Sequence, residues 1–129
     1  MSFRISIGAL LAAVSLGTMA TEQETRNLVA LGALAFADNC IKCHQIDGYG
    51  EEALYPSLRD PGLLANKPLL ISTILHGRTG QQNDGSEEPL MPSLDFLTDR
   101  EIAAIIAFIS NTWGGNVLLV TEDDVNEAR

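Results

Sequence analysis

The chain has 129 residues, a formal net charge of −9 and only 5% aromatic residues. That length suits one domain with a modest core. The acidic balance argues against nucleic acid as a partner, because phosphates would be repelled, and it favours docking on basic protein surfaces.

The first twenty residues have the pattern of an export signal. Arg4 supplies a short positive region, residues 5–16 are uncharged and largely apolar, and Thr18-Met19-Ala20 offers a cleavage site. The apolar run is short for a membrane-spanning helix. We therefore expect cleavage of residues 1–20, a periplasmic product and no membrane span in the mature chain. An uncleaved anchor is the alternative.

A helix is predicted from Asn27 to Asn39, after a capping-box spacing at residues 21–24. Gly32 lies in the apolar stripe of this helix. Glycine weakens a helix, so we interpret Gly32 as the point where another helix approaches closely; a tolerated surface glycine is the alternative. The other residues of the stripe are Leu28, Leu31, Ala35 and Phe36.

The helix leads into Cys40-Ile41-Lys42-Cys43-His44, which contains both cysteines of the chain. C-x-x-C-H is the attachment sequence for a c-type haem. In that chemistry each thiol adds to a vinyl group of the porphyrin, and the histidine is placed beneath the iron. The motif therefore predicts one covalently bound haem c.

Other uses of two cysteines fit less well. A thioredoxin-like C-x-x-C expects a βαβ context, which the neighbouring sequence lacks. Zinc would need two further ligands, and the chain has only two histidines, His44 and His76. A blue-copper site would leave one cysteine unexplained.

Glycines and prolines between residues 45 and 65 predict a loop. Asn66 then caps a second helix, with Pro68 in its first turn, and Gly77 ends it. Residues 78–88 are polar and are predicted to form an exposed loop.

Two prolines, Pro89 and Pro92, flank Leu90 and Met91. Proline excludes the helical conformation here and predicts a stiff, extended segment that could hold Met91 toward the core.

Thr98 and Glu101 form a second capping box, which opens a strongly apolar helix that ends at Gly114-Gly115. Its apolar residues are Ile102, Ile105, Ile106, Phe108 and Ile109. Residues 116–129 begin apolar and end acidic. We expect them to be a C-terminal acidic tail, partly ordered at best unless it packs on a partner subunit.

Together these features resemble the class I monohaem cytochromes c of bacteria, over roughly Leu28 to Gly115. The resemblance rests on Gly32-x-x-x-Phe36 before the attachment motif, on Met91-Pro92, and on Ile105-x-x-Phe108. It implies an all-α domain over residues 21–115, with about three to five helices wrapped round one haem. The first and last helices would cross where Gly32 and Phe36 meet Ile105 and Phe108.

The resemblance also implies the iron ligands, His44 below and Met91 above. Histidine and methionine together raise the reduction potential and fill the coordination sphere. One-electron transfer then remains as the function, and the chain is expected to be an electron carrier and not an enzyme. His76 is the competing axial ligand, although a helix end is an ordinary place for a histidine.

Three further positions are matched less specifically. The carbonyl of Pro56 would accept the other ring N–H of the proximal histidine, Arg78 would lie near a haem propionate, and Trp113 would pack on the haem or on the first helix. The ordinary alternatives are a loop-stiffening proline and a solvated arginine. One departure is Gln45, because a glycine commonly follows the proximal histidine in the family.

The end of the last helix, Asn111-Thr112-Trp113-Gly114, also resembles small cytochromes that serve, or form part of, periplasmic dehydrogenases and reductases. The chain is thus expected to be a soluble shuttle or a subunit of such a complex. Glu51-Glu52 and Glu87-Glu88 are candidate contacts for basic redox partners, with simple solubilising charges as the alternative. A different class of function, a haem enzyme or gas sensor with an open or labile sixth position, is the rival.

Overall fold

Six helices and one hairpin make up the described part of the chain. The computed structural model describes residues 8–51, 54–81 and 87–129, and only the backbone of residues 8–20, 81 and 87–89. The helices are α1 (Gly8–Asn39), α2 (Ile41–His44), α3 (Pro61–Leu64), α4 (Lys67–His76), α5 (Asp99–Trp113) and α6 (Glu122–Glu127). The strands are β1 (Arg78–Gln81) and β2 (Glu87–Met91), so the predicted all-α class is confirmed with one small addition.

Two of the predicted helix starts are confirmed by their side-chain caps. The side chain of Asn66 accepts a hydrogen bond from the backbone N–H of Leu69 at 3.1 Å. Thr98 Oγ1 accepts from Glu101 N at 3.2 Å, and Glu101 Oε2 accepts from Thr98 N at 2.8 Å. These bonds satisfy backbone donors that have no partner within the helix.

The first helix is longer than the sequence predicts. α1 runs without a break from Gly8 through Thr21 to Asn39, so residues 21–24 do not start a helix in this chain. Inside the helix, Thr25 Oγ1 donates to the carbonyl of Thr21 at 3.0 Å. Residues 1–7 lie outside the described residues, and cleavage after Ala20 stays a prediction. Among the described helices, none is both long enough and apolar enough to cross a membrane.

α1 and α5 meet at Gly32, and the close-approach interpretation of this glycine is confirmed. A methyl group there would collide with the backbone carbonyl of Ala104 and would stand 2.8 Å from Cβ of Phe108. Phe36 packs beside this point, with its ring centre 5.4 Å from that of Phe108. The apolar face of α5 is the centre of the core, with Ile102 and Ile106 fully buried.

The sequence predicted an exposed loop over residues 78–88, but the structure has a hairpin there. β1 pairs with β2 in antiparallel register, Arg78 opposite Met91 and Thr79 opposite Pro89, with an irregularity between the two pairs. The local sequence has no strand pattern. The two strands pair because α4 ends at Gly77 and the chain then folds back, so that Met91 lies opposite Arg78. Residues 82–86 lie outside the described residues.

The expectation of a poorly ordered tail is wrong for residues 117–129, which we call the 117–129 segment. Thr121 and Asp124 form a capping box for α6, and their Thr-x-x-Asp spacing is a signal from which this helix could have been predicted. Val125 is completely buried and Val120 is 4% exposed. Asp124 accepts a hydrogen bond from Lys67 Nζ of α4 at 2.8 Å. Apolar burial and this ion pair hold the segment on the domain.

Candidate functional site

The attachment motif is positioned by the end of α1. The backbone N–H of Cys40 donates to Phe36 O at 2.8 Å, and that of His44 donates to Cys40 O at 2.9 Å. One tight turn therefore carries both cysteines and the histidine. Both cysteines are free thiols and partly buried.

The imidazole of His44 is buried, with 8% of the residue exposed. Its Nδ1 lies 3.1 Å from the carbonyl oxygen of Pro56 and donates to it when Nδ1 carries the proton. Nε2 then keeps its lone pair and can bind a metal. This is the contact that the resemblance implies for Pro56.

The backbone between these two residues is folded on itself. Gly50 N donates to His44 O at 3.0 Å, and Leu58 N donates to Gly48 O at 2.8 Å. A methyl group at Gly48 would stand 2.6 Å from the ring of Trp113. The loop that carries Pro56 is thus fixed both to the motif and to the end of α5.

Gln45 adopts φ +61° and ψ 164°, a backbone conformation that residues other than glycine rarely adopt. It is the only residue other than glycine with a positive φ in the described part of the chain. The family commonly has glycine at this position, and glycine suits it because it adopts a positive φ without strain. The local turn is retained at the expense of backbone strain.

The Cys40 thiol is partly desolvated. Burial, and secondarily the neighbouring Cys43, raise its pKa to about 11. As a free thiol with this pKa, Cys40 is protonated at neutral pH; once joined to haem c it would be a thioether and would no longer titrate.

Met91 lies at the end of β2, partly buried against the core. Gly77, with φ +70°, allows the backbone of this strand to come close. A methyl group at Gly77 would collide with the Met91 carbonyl and would stand 2.8 Å from Pro92 C. The sequence identified Gly77 only as the end of a helix; its role beside Met91 could have been found only from the tertiary pairing.

Two hydrogen bonds fix the chain just after Met91. Ser93 Oγ donates to Leu75 O at 2.6 Å, and Leu94 N donates to Ile74 O at 3.0 Å. Both acceptors belong to the last turn of α4, which has carbonyls without helical partners. No sequence pattern marks Ser93, because its acceptor lies eighteen residues away in α4.

The remaining predicted residues are placed as follows. Arg78 is exposed, and its backbone faces Met91 in the hairpin. Trp113 packs on the first helix, with its ring centre 5.5 Å from that of Phe36.

His76 is exposed, and its Nε2 lies 3.2 Å from the carbonyl oxygen of Ala128. Among the acidic candidates, Glu52 lies outside the described residues, and only the backbone of Glu87 and Glu88 is described.

The donor set suits a haem. Two free thiols, an imidazole with Nε2 available and a thioether are the groups that attach haem c and complete its iron coordination. Large apolar side chains are also exposed in the loop after the motif and next to Met91, which a large apolar group could cover. They are Ile46, Tyr49, Leu54 and Leu90.

Comparison with known proteins agrees with this chemistry. The cytochrome c family profile matches residues 18–113. Cytochrome c-554(548) of Halomonas halodenitrificans is 33% identical over 72 residues, which cover 56% of this chain and 82% of that protein.

Subunits of larger assemblies match as well. The cytochrome c subunit of alcohol dehydrogenase (quinone) from Gluconobacter oxydans is 27% identical over 103 residues, which cover 76% of this chain. The fructose dehydrogenase cytochrome subunit of Gluconobacter japonicus is 33% identical over 108 residues, again 76% of this chain. The chain spans only 22% of the length of each of these two subunits.

Proposed function

Because the chain belongs to the cytochrome c family, whose members bind haem c covalently, we propose that it carries single electrons with His44 and Met91 as the two axial ligands of the iron. Electron transfer itself follows from the family. The ligand pair, the cellular compartment and the partners are our proposal.

The observation that carries the proposal is the orientation of His44. Its Nδ1 is 3.1 Å from the Pro56 carbonyl, which is the outer hydrogen bond that metal-binding histidines usually make. This bond selects the tautomer whose Nε2 is free and limits rotation of the ring. A buried imidazole held in this way supports a ligand role and not a merely structural one.

Met91 is supported by position and by elimination. The chain has three methionines, and Met1 and Met19 fall in the predicted leader. The backbone of Met91 is fixed by Gly77 and by the hydrogen bonds of Ser93 and Leu94. The competitor, His76, is exposed and its Nε2 already faces the Ala128 carbonyl.

The roles of the residues follow from this arrangement. When bound, the haem supplies an iron that alternates between the ferrous and ferric states. Cys40 and Cys43 would anchor it, Pro56 would keep the His44 ring in one orientation, and the Met91 thioether would favour the ferrous state. Two protein ligands on the iron would leave no position for a substrate, so the chain would transfer electrons and would not catalyse bond chemistry.

We further propose that the chain is exported after cleavage at Ala20 and works in the periplasm. Its partners would be redox proteins with basic docking faces, since the chain carries a net charge of −9. The names of two relatives, cytochrome subunits of alcohol and fructose dehydrogenases, favour delivery of electrons from a dehydrogenase. Either a shuttle or a bound subunit would serve.

Mass spectrometry and absorption spectroscopy of the protein purified from an exporting host test the proposal. We expect the mass of the chain from Thr21 onward plus one haem, retained after denaturation because two thioethers attach it. The oxidised protein should show the iron–thioether charge-transfer band, and the Met91→Ala variant should lose it. A colourless protein would refute haem binding altogether, whereas absence of the band together with rapid carbon monoxide binding to the reduced protein would favour the haem enzyme or gas sensor.

A further inference from the structure

We propose that Arg129 is a positioning residue for the Met91 side of the site: its guanidinium fixes the chain segment that follows Met91 and so keeps the thioether on the iron. This inference rests on the proposed ligand role of Met91. It assigns the 117–129 segment a part in electron transfer, where the sequence suggested only an acidic tail.

The guanidinium of Arg129 makes three hydrogen bonds to one short stretch of chain. Nη1 donates to Asp95 O at 2.8 Å and Nη2 donates to Leu97 O at 2.6 Å. Nε donates to Asp99 Oδ1 at 2.7 Å, in an ion pair whose side chains are 33% and 22% exposed. Such a rigid fork holds several acceptors in fixed relative positions, which a single flexible ammonium cannot do.

The stretch held by Arg129 leads directly back to Met91. Leu94 and Leu97 are buried and joined by a hydrogen bond from Leu97 N to Leu94 O at 3.1 Å. Leu94 and Ser93 are bonded to the last turn of α4, and the stiff Pro92 connects them to Met91. A shift at residues 95–97 is therefore transmitted to the methionine.

The preceding residue touches the other chain segment that flanks Met91. The carbonyl of Ala128 lies 3.2 Å from His76 Nε2. His76 is followed by Gly77, which lies against the Met91 carbonyl, and by Arg78, which pairs with Met91. Residues 128 and 129 thus contact the chain on both sides of the proposed ligand.

The 117–129 segment is well enough anchored to serve as this support. Val125 is fully buried, and Asp124 is bonded to Lys67 at 2.8 Å. Arg100 and Glu122 form a further ion pair between α5 and α6 at 3.3 Å, with both side chains more than half exposed. This second arginine also ties the segment to α5, but its side chain forms its hydrogen bond and ion pair with Glu122 and not with residues 92–97, so it provides a matched control.

The experiment uses the full haem-loaded chain and measures the apparent affinity of the oxidised iron for imidazole, which must displace Met91 to bind. Weaker positioning increases the fraction of protein with the thioether detached and tightens apparent imidazole binding. We expect about tenfold tighter binding for Arg129→Ala. Arg129→Lys should restore part of the wild-type value, leaving about threefold, and Arg100→Ala should stay within about twofold.

Urea unfolding of each variant separates positioning from general stability. The proposal holds if Arg129→Ala tightens imidazole binding more than Arg100→Ala does, after allowance for any difference between the unfolding free energies of the two variants. It is overturned if the two arginine variants behave alike, or if wild type and Arg129→Ala bind imidazole equally. If Met91→Ala leaves the charge-transfer band and the imidazole affinity of wild type unchanged, the ligand assignment itself fails and this inference falls with it.

Discussion

The His44 side and the Met91 side of the site are held in different ways. His44 finds its hydrogen-bond acceptor twelve residues away, at Pro56. The chain around Met91 depends on Gly77, on the end of α4 and on Arg129, which lies thirty or more residues along the sequence from its acceptors. One side is assembled by a local loop and the other only by the complete fold. The Met91 side should therefore be the first to open under stress.

The largest expected effect that tests this contrast comes from Gly77→Ala. The new methyl group would collide with the Met91 carbonyl in a backbone conformation with φ +70°. We expect a loss of about 3 kcal/mol in unfolding free energy, together with loss of the charge-transfer band. Gly115→Ala is the control, because Gly115 has φ +78° but no atom within 4 Å of the added methyl. Its expected loss is about 1 kcal/mol, and equal losses in the two variants would refute the contact.

On the other side, Gln45→Gly should stabilise the protein. Gln45 has φ +61°, and glycine adopts such a conformation without strain, which we expect to add about 1.5 kcal/mol in urea unfolding. The imidazole affinity should stay that of wild type, since the His44 side does not control the opening of the Met91 side. Lys42→Gly, in the helical turn α2, is the control and should lose up to about 1 kcal/mol. Destabilisation by Gln45→Gly would contradict the assignment of strain.

A pair of serines compares the two sides directly. Ser93 Oγ donates to Leu75 O at 2.6 Å on the Met91 side, and Ser57 Oγ donates to Gly48 O at 3.4 Å on the His44 side. Ser93→Ala should cost about 1 kcal/mol of unfolding free energy and tighten imidazole binding. Ser57→Ala should change neither measurably. A reversed order would mean that the His44 side is the weaker one.

The smallest effect is expected from acid. The hydrogen bond from Lys67, reinforced by those from Thr121, lowers the pKa of Asp124 from 3.8 to about 2. The folded pKa lies below the unfolded one, so the stabilisation is present above pH 3.8 and is lost as the pH falls toward 2. The charge-transfer band should weaken in this window before the helical circular dichroism does. Asp124→Asn should weaken this pH response; a wild-type response in that variant would exclude Asp124 as its source.

The same contrast separates what could be predicted from sequence from what could not. Gly32, the caps at Asn66 and Thr98, and the attachment motif depend on neighbours in sequence or on one helical face, and these patterns are visible in the residues themselves. The hairpin, the contact of Gly77 with Met91 and the hydrogen bonds of Arg129 arise only when distant segments meet. No local preference encodes these contacts, which is why residues 78–88 were predicted to be an exposed loop and residues 116–129 to be partly ordered at best. The capping box at Thr121 is the exception, because its spacing is local.

The meeting of α1 and α5 also sets an order of folding. Gly32 and Ala104 are about 70 residues apart, so a long loop must close before their packing contributes any stability. During synthesis on the ribosome, α1 has no partner for its Gly32 face until residue 104 has been made. For the export proposed above, such a delay would keep the chain unfolded in the cytosol until it is secreted.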